Sequence, residues 1–511
     1  MKIIDWILFT GVISVLIWAT FYCRHLAKDV SGFLVAGRKT RLWLGLSNQF
    51  SGGLGLVAIA YVGQQGFTNG FSYIWLGLFT SVIYIIIFGI YGFGIERLRA
   101  SKAMTAGQYH EMRYSRGVRL LVGLVCGIGG VLNMAIFPIT GAKYLCAFLD
   151  WPKYFEFIGM QWNTIFVLTA VLISLAIFFT IICGQVGVLL TDYLQSIVIA
   201  IALFTVSFLI ISKVNFFQIR DILQVNFGEA GFNPLVTKKY GWLWVAWIFL
   251  GAIWTPFCFG PVISKNASMS SPKVTRINTL LGYLMGNGKT ILMLMFGVGA
   301  LCVMGNVIPE GCTKLEYNLI APAIFLRDLC PPVITGILLA AFVSAFISTN
   351  DSYFLSWTSI WVNDVFCVIH KKPLSVKQHM LLLRLTVLFI GIFLYLFGTL
   401  FTLEDTVLEF LMLTGTIWLG GGIAVVFGLY WRRANTRGAY ATVISTCVLP
   451  ILHMICQKTI SGYDVPSKLA GVVTVLVAIS LMILLSLLSK KQTKFIDYSG
   501  IVEQSEKEGV S

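Results

Sequence analysis

The chain has 511 residues, of which 57% are hydrophobic and 12% are charged, and its mean hydropathy is +0.85. This composition leaves too little polar surface to cover a water-soluble globule, so it excludes a soluble fold. The net charge of +15 does not indicate nucleic-acid binding, because the basic residues lie in short connections between apolar runs, where they set orientation in a membrane.

The apolar runs extend from near the first residue to about residue 489. A helix needs about 20 mostly apolar residues to cross the bilayer core, and the runs show no alternating pattern, so we expect an all-α integral membrane protein. The run from Ile4 to Cys23 lacks small residues at a plausible cleavage site and is predicted to be a retained first helix. The predicted transmembrane helices number thirteen: 4–23, 43–66, 71–95, 118–149, 162–182, 186–212, 241–263, 277–305, 332–366, 379–401, 405–431, 438–457 and 467–489.

The distribution of Lys and Arg predicts the orientation of these spans. With the N-terminus outside, the inside segments carry 24 basic residues and the outside segments carry 10. The positive-inside rule therefore predicts an outside N-terminus and a cytoplasmic tail from Lys490, in a multi-pass protein of the plasma (inner) membrane.

Two of the predicted spans are interrupted. The second contains Gly52, Gly53 and Gly55, and the seventh contains Pro256 and Pro261. Interruptions at corresponding positions of two halves are typical of inverted-repeat secondary transporters, which bind their solute at the midplane between the broken helices. The alternative is that these small residues only permit close packing of helices.

The ninth span has the densest polar content. Hydroxyl side chains recur on one face, at Ser344, Ser348, Ser352 and Ser356. A hydroxyl stripe beside the carboxylate of Asp351 suits a small hard cation such as sodium. Serines often bond back to their own helix instead, but that alternative does not explain an intramembrane carboxylate. The same argument applies to Asp192 near the inner end of the sixth span, where a position at the cytoplasmic edge stays open.

Three segments carry a resemblance to a known family: Phe33 to Arg38, Gly184 to Gln195, and Ala340 to Asp364. Over roughly residues 30–435 the chain resembles the sodium:solute symporter family. The resemblance implies a LeuT-like core of two inverted five-helix repeats, with one helix before it and two after it. The implied divisions are 1–42 for the first helix and a cytoplasmic loop, 43–431 for the core (repeats about 43–212 and 241–431), 432–489 for two C-terminal helices, and 490–511 for the tail.

The resemblance also implies a sodium site between the first and eighth core helices. Its ligands would be the backbone carbonyls of Ser47, Phe50 and Ala345 and the hydroxyls of Ser348 and Thr349. Some relatives bind a second cation, which here would lie among Asp192, Ser348, Asp351 and Ser352. Asp351 stands where those relatives have a serine, so it either tightens that second site or carries a proton.

The implied solute pocket lies between core helices one, three, six, eight and ten. Its candidate residues are Gln49, Gly52, Asn133, Trp254, Phe257 and Trp418. Gln49 stands where proline carriers have an acidic residue, so proline specificity is not expected. For Trp418 and Phe257, simple packing is the competing interpretation.

These features predict sodium-coupled symport of a small polar organic solute by alternating access, in a protein that works as a monomer. Sodium is the expected coupling ion, and no organic cofactor is expected. A proton-coupled carrier using Asp351 and Asp192 is the nearest alternative, and a channel or a membrane-embedded enzyme is more remote, because the sequence has no His-Glu-x-x-His or Gly-x-Ser-x-Gly motif. Lys289, near the middle of a span, is expected either to pair with an acidic group or to line a cavity.

Overall fold

The computed structural model describes residues 1–24, 29–51, 53–237, 239–370, 372–401, 407–489 and 493–507. The first ten helices are α1 (Ile3–Cys23), α2 (Val30–Val35), α3 (Leu42–Ser51), α4 (Leu56–Asn69), α5 (Ser72–Ile83), α6 (Ile95–Ala100), α7 (Ala106–Arg113), α8 (Arg116–Met134), α9 (Phe137–Leu149) and α10 (Thr164–Lys213). A hairpin of β1 (Tyr154–Phe157) and β2 (Met160–Asn163) precedes α10.

The second part of the chain is also helical. Its helices are α11 (Phe216–Phe227), α12 (Gly241–Trp254), α13 (Gly260–Ser268), α14 (Pro272–Met304), α15 (Lys314–Leu329), α16 (Ile334–Ser359), α17 (Cys367–His370), α18 (Val376–Leu400), α19 (Val407–Thr416), α20 (Leu419–Tyr430), α21 (Thr436–Thr459), α22 (Ser467–Leu488) and α23 (Ser499–Lys507). The described residues of the whole chain also form three short 3₁₀ segments, at Ala36–Arg38, Gly228–Gly231 and Thr255–Phe257. Two π-helical segments lie at Tyr84–Ile90 and Ile360–Phe366. The prediction of a helical membrane protein is confirmed.

Within the described ranges, ten helices are long and apolar enough to cross a membrane, and twelve spans result if each of two bent pairs counts as one. The bends are 45° between α12 and α13 and 45° between α19 and α20. The predicted second span, 43–66, corresponds to α3 and α4 on either side of a break and stands outside that count. The total of thirteen therefore stays a prediction, as do the divisions of the chain and its orientation.

One glycine separates the predicted fifth and sixth spans within the long helix α10. Gly184 has a φ of +53°, a conformation that side-chain-bearing residues rarely adopt. A Cβ atom at this position would lie 2.7 Å from the carbonyl oxygen of Phe33. The kink thus depends on glycine both for its backbone angle and for the close approach of α2.

Helix α16 is the central helix of the bundle, and almost all of its residues are buried. It packs against α1, α10 and α13. Helix α4 packs just as closely on α14, because a Cβ atom on Gly297 would lie 1.8 Å from the carbonyl oxygen of Gly63. Helix α3 contacts α10, α14 and α16, which brings its polar residues next to those of the three longer helices.

The segment 493–507 is folded against the ends of the helices. Tyr498 is buried in an apolar cluster. On α23, the Glu506 carboxylate accepts from Arg276 at 2.6 Å, and its backbone carbonyl accepts from Lys273 at 3.0 Å. This segment therefore bridges α6 and the start of α14.

Candidate functional site

The break between α3 and α4 is shaped by glycine. Gly55 precedes α4, and a Cβ atom on it would lie 2.9 Å from the hydroxyl oxygen of Thr349 on α16. A larger residue at this position would have to displace the Thr349 side chain. The sequence-predicted interruption thus brings the first core helix into contact with the hydroxyl patch of the eighth.

The residues predicted to hold sodium lie on α3 and α16. Ala345, Ser348 and Thr349 are buried on α16. Among the described residues, the Thr349 hydroxyl has no hydrogen-bond partner. On α3, the carbonyl of Ser47 accepts from the Ser51 hydroxyl at 3.0 Å. An unsatisfied hydroxyl beside the carbonyls of a helix end is an oxygen-rich donor set, which is the kind that sodium prefers.

The Phe50 carbonyl, another predicted sodium ligand, is already bound by a cation. The Lys289 ammonium donates to it at 2.8 Å. Of the two roles expected for Lys289, pairing with an acidic group or lining a cavity, the structure shows the second. Lys289 lines an apolar groove beside α3.

Asp192 is the centre of a buried polar cluster. It is fully buried on α10, and its carboxylate accepts from the amide of Asn48 and from the hydroxyl of Ser348. Lys265 on α13 lies close enough to act on this carboxylate electrostatically and donates to the carbonyl of Asn48 at 2.9 Å. The cluster joins α3, α10, α13 and α16, and it places Asp192 in the protein interior rather than at an exposed cytoplasmic edge.

Asp351 has a different hydrogen-bond partner from Asp192. Its Oδ1 atom accepts from the Thr180 hydroxyl at 2.8 Å, whereas its Oδ2 atom is buried and has no partner within the described ranges. The hydroxyl of Ser352 is likewise unsatisfied. Back-bonding explains Ser356, which donates to the Ser352 carbonyl at 2.7 Å, but it does not explain the other members of the stripe.

A cavity of about 430 Å³ lies directly next to the Thr349 hydroxyl. Within the part of the chain that the structure describes, its lining holds no charged side chain. Its larger side chains are Tyr61, Tyr73, Tyr84, Asn133, Phe137, Trp247, Phe259, Tyr353, Met412 and Trp418. The arrangement suits a small solute with an apolar face, held by aromatic rings and a few neutral polar groups.

Of the six predicted pocket residues, two line the cavity, three do not, and one lies outside the described residues. Asn133 and Trp418 line the cavity, and Gly52 lies outside the described residues. The lining does not include Gln49, Trp254 or Phe257.

Each of the three residues outside the lining packs elsewhere. The side chain of Gln49 lies against Gly282, so that a Cβ atom there would be 2.5 Å from its Cγ atom. Trp254 stacks on Phe427 with ring centroids 6.4 Å apart. Phe257 is fully buried and packs edge-on against Phe88, which is the packing interpretation weighed for it.

Sequence reasoning missed several residues of the site. Phe259 stacks on Trp418 at 5.7 Å and contacts Tyr353 at 5.5 Å, yet only its place in the interrupted seventh span hinted at this role. Lys265 falls in the inside connection predicted between the spans 241–263 and 277–305, but it is buried in α13. The sequence did offer one signal for its burial. Lys265 lies only four residues after Pro261, so it belongs to the helix that follows the break and not to the connection after that helix.

Comparison with known proteins agrees with this architecture. The sodium:solute symporter family matches residues 33–445. The sodium/proline symporter 2 of Staphylococcus saprophyticus is 23% identical, with 90% of this chain and 89% of that protein covered, and the sodium/proline symporter of Staphylococcus aureus is 22% identical, with 94% and 92% covered. The solved structure of a Na+-coupled sialic acid symporter in a substrate-bound, outward-open state superposes with a TM-score of 0.80 at 18% identity, covering 97% of this chain and 100% of that one.

The broken helices, the central polar helix and the cavity beside the break define a secondary transporter with a LeuT-like fold. The chain belongs to the sodium:solute symporter family. It is therefore a multi-pass membrane transporter of a class that couples solute movement to sodium, and it is not an enzyme.

Proposed function

We propose that this protein takes up a small polar organic solute without net charge, together with sodium, by alternating access. The observation that carries the proposal is the position of Thr349. Its unsatisfied hydroxyl belongs to the predicted sodium set and also lines the cavity beside the break. A sodium ion held there would complete one wall of the solute pocket, which couples the two binding events.

The sodium site that we propose uses the carbonyls of Ser47, Phe50 and Ala345 and the hydroxyls of Ser348 and Thr349. Sodium entering from outside would bridge α3 and α16 and favour the conformation that is open to the outside. One charge crossing the membrane contributes about 2.3 kcal/mol per 100 mV, so one or two ions are enough for substantial accumulation. A second ion would bind among Asp192, Ser348, Asp351 and Ser352.

The solute class follows from the lining of the cavity. Because the described lining holds no charged side chain, an anionic or cationic solute would find no counter-charge there. A neutral or zwitterionic solute avoids that cost, and stacking on Phe259 and Trp418 favours one with a ring or an apolar face. We assign Asn133 on α8, which lines the same cavity, as a neutral polar contact for the solute.

The proposal is tested by replacing Ser348 and Thr349 with alanine in proteoliposomes. Candidate solutes are first screened with and without an inward sodium gradient to find one that is transported. The double variant should then need a much higher sodium concentration for half-maximal uptake. Ser356→Ala is the matched control, because that hydroxyl donates only to its own helix. An unchanged sodium dependence in the double variant would rule out the assigned site.

The second candidate function is proton-coupled transport in the same fold, favoured by the unpartnered Oδ2 atom of Asp351. A carboxyl group there is able to take up and release a proton. Uptake driven by a pH gradient in sodium-free vesicles, abolished by Asp351→Asn, would support it. Uptake that requires sodium at every pH would exclude it.

We also propose that the protein works as a monomer in the plasma (inner) membrane, with its N-terminus outside and α23 in the cytoplasm. The contacts of α23 with Arg276 and Lys273, two residues of the predicted inside segments, support that side for the C-terminus. Labelling of single cysteines at each end in intact cells would test the orientation.

A further inference from the structure

Two lysine ammonium groups cap the end of α3. The last carbonyls of a helix lack the amide donors that a continuing helix would supply. Here the Asn48 carbonyl accepts from Lys265 at 2.9 Å, and the Phe50 carbonyl accepts from Lys289 at 2.8 Å. The helix dipole favours positive charge at this end. The break in the first core helix is therefore a cation-binding site that the protein itself already fills.

The two lysines differ in their electrostatic surroundings. Lys265 has the opposite charge of Asp192 nearby. Lys289 has no carboxylate within ion-pair distance in the described part of the chain, and the charged group that acts on it is Lys265, which repels it. Its remaining contacts are the Gln49 carbonyl at 3.4 Å and the Phe50 ring, whose centroid lies 5.4 Å away. A buried ammonium without a counter-charge is costly, so its retention calls for a function.

We propose that the Lys289 ammonium is a built-in competitor of sodium: it occupies the Phe50 carbonyl when sodium is absent and leaves that carbonyl when sodium binds. The inference rests on the proposed sodium site, of which this carbonyl is a ligand. Two cations on one carbonyl oxygen would repel each other strongly in a low-dielectric interior. Sodium must therefore displace the ammonium, and Lys289 raises the sodium concentration at which the site fills.

The surroundings of Lys289 leave it room to move. A Cβ atom on Gly288 would meet no atom within 4 Å, and one on Gly286 would meet only the Cε atom of Lys289 at 3.9 Å. The lysine also lines the apolar groove beside α3, a cavity of about 660 Å³, which is able to accept its methylene stem. The side chain is thus able to withdraw from the break without a shift of α14.

The test measures sodium binding to the purified full-length protein in detergent, without solute, from intrinsic tryptophan fluorescence and from the sodium-dependent rise in melting temperature. Choline chloride keeps the ionic strength constant. Lys289→Met keeps the stem and removes the charge, so its apparent sodium dissociation constant should fall about tenfold. Lys289→Arg keeps the charge and should bind sodium as weakly as the wild type. Thr290→Val is the control on the same helix, because its hydroxyl donates only to the Gly286 carbonyl.

Sodium binding that is unchanged or weaker in Lys289→Met, while the wild type binds sodium, would overturn this inference and leave the proposed function intact. If Lys289→Met does not fold, Lys289→Gln takes its place, because the glutamine amide still donates to the carbonyl but carries no charge. Its apparent sodium dissociation constant should also fall, and an unchanged or higher value would overturn the inference. Failure of the wild type and all variants to bind sodium would overturn the proposed function together with the inference.

Discussion

The side-chain amide of Asn48 donates to Oδ2 of Asp192 at 2.5 Å, and this bond ties the end of α3 to the middle of α10. Ser348 on α16 donates to the other carboxylate oxygen. One carboxylate thus holds together three helices at the proposed sodium site, and we expect its charge to stabilise both their packing and a bound ion.

The first prediction concerns the balance of charge between Asp192 and Lys265. Asp192→Asn leaves Lys265 buried without an opposing charge, which should destabilise the protein by about 3–5 kcal/mol. Adding Lys265→Met to that variant removes the stranded charge and should restore part of the loss. Melting temperatures of the two single variants, the double variant and the wild type form the cycle that measures the coupling. If the stability losses of the two single variants simply add in the double variant, the two charges are not coupled and the prediction is wrong.

The second prediction concerns Thr180 and Asp351. Thr180→Val removes the hydroxyl that donates to Asp351, leaving a buried carboxyl group with neither oxygen satisfied among the described residues, at an expected cost of about 1–3 kcal/mol. Thr169→Val is the matched control, because this buried hydroxyl on the same helix donates only to the Ile165 carbonyl. The melting temperature should fall in the first variant and change little in the second. Equal effects would mean that the Thr180 bond to Asp351 adds nothing.

The third prediction concerns the aromatic wall of the cavity. Phe259→Ala and Trp418→Ala each remove one of two stacked rings and should raise the KM for the solute about tenfold, which corresponds to about 1.4 kcal/mol. Sodium binding without solute should not change. Trp254→Ala is the control, because this residue packs on Phe427 outside the lining and should leave the KM unaltered. A raised KM in Trp254→Ala together with an unchanged KM in Phe259→Ala would contradict the lining that the structure gives.

The sequence was sufficient to predict the helical membrane fold and the break before Gly55, because long apolar runs and clustered glycines have few other interpretations. It was also sufficient to single out Asp192 and Ser348, since polar groups are costly in a membrane. The direction of a side chain is harder to predict. Phe257 and Phe259 differ by two residues, yet only Phe259 faces the cavity, because the turn between α12 and α13 sends the two rings to different neighbours.

The burial of Lys265 and the packing of the C-terminal segment could not be predicted for a related reason. A lysine close to a short polar connection has the same local pattern whether it faces water or bonds to a buried carbonyl, and only the packing of α13 against α3 decides between them. The segment that contains α23 has a polar composition typical of a free tail. Its order comes from Tyr498, which is buried among apolar residues distant in the sequence.

The fourth prediction concerns the pH dependence that Glu96 imposes at the docked C-terminal segment. Glu96 lies on α6, 3.7 Å from the Arg276 guanidinium, which also binds Glu506. Burial raises the pKa of Glu96 from its ordinary value near 4.5 to about 7, although Arg276 opposes the shift, and Glu506 adds to it. The folded protein therefore holds a proton on Glu96 between pH 4.5 and 7 that the unfolded chain releases, so stability should fall as the pH rises through this window.

The loss should be on the order of 1–3 kcal/mol and complete above about pH 7. It is measured as the melting temperature of the purified protein between pH 5 and 8. Glu96→Gln cannot ionise, so its melting temperature should vary less over this range than that of the wild type. Glu503→Gln, an exposed position on α23, should keep the wild-type slope. If Glu96→Gln and the wild type lose stability in parallel, another group controls the pH dependence and the proton on Glu96 does not contribute to the docking of α23.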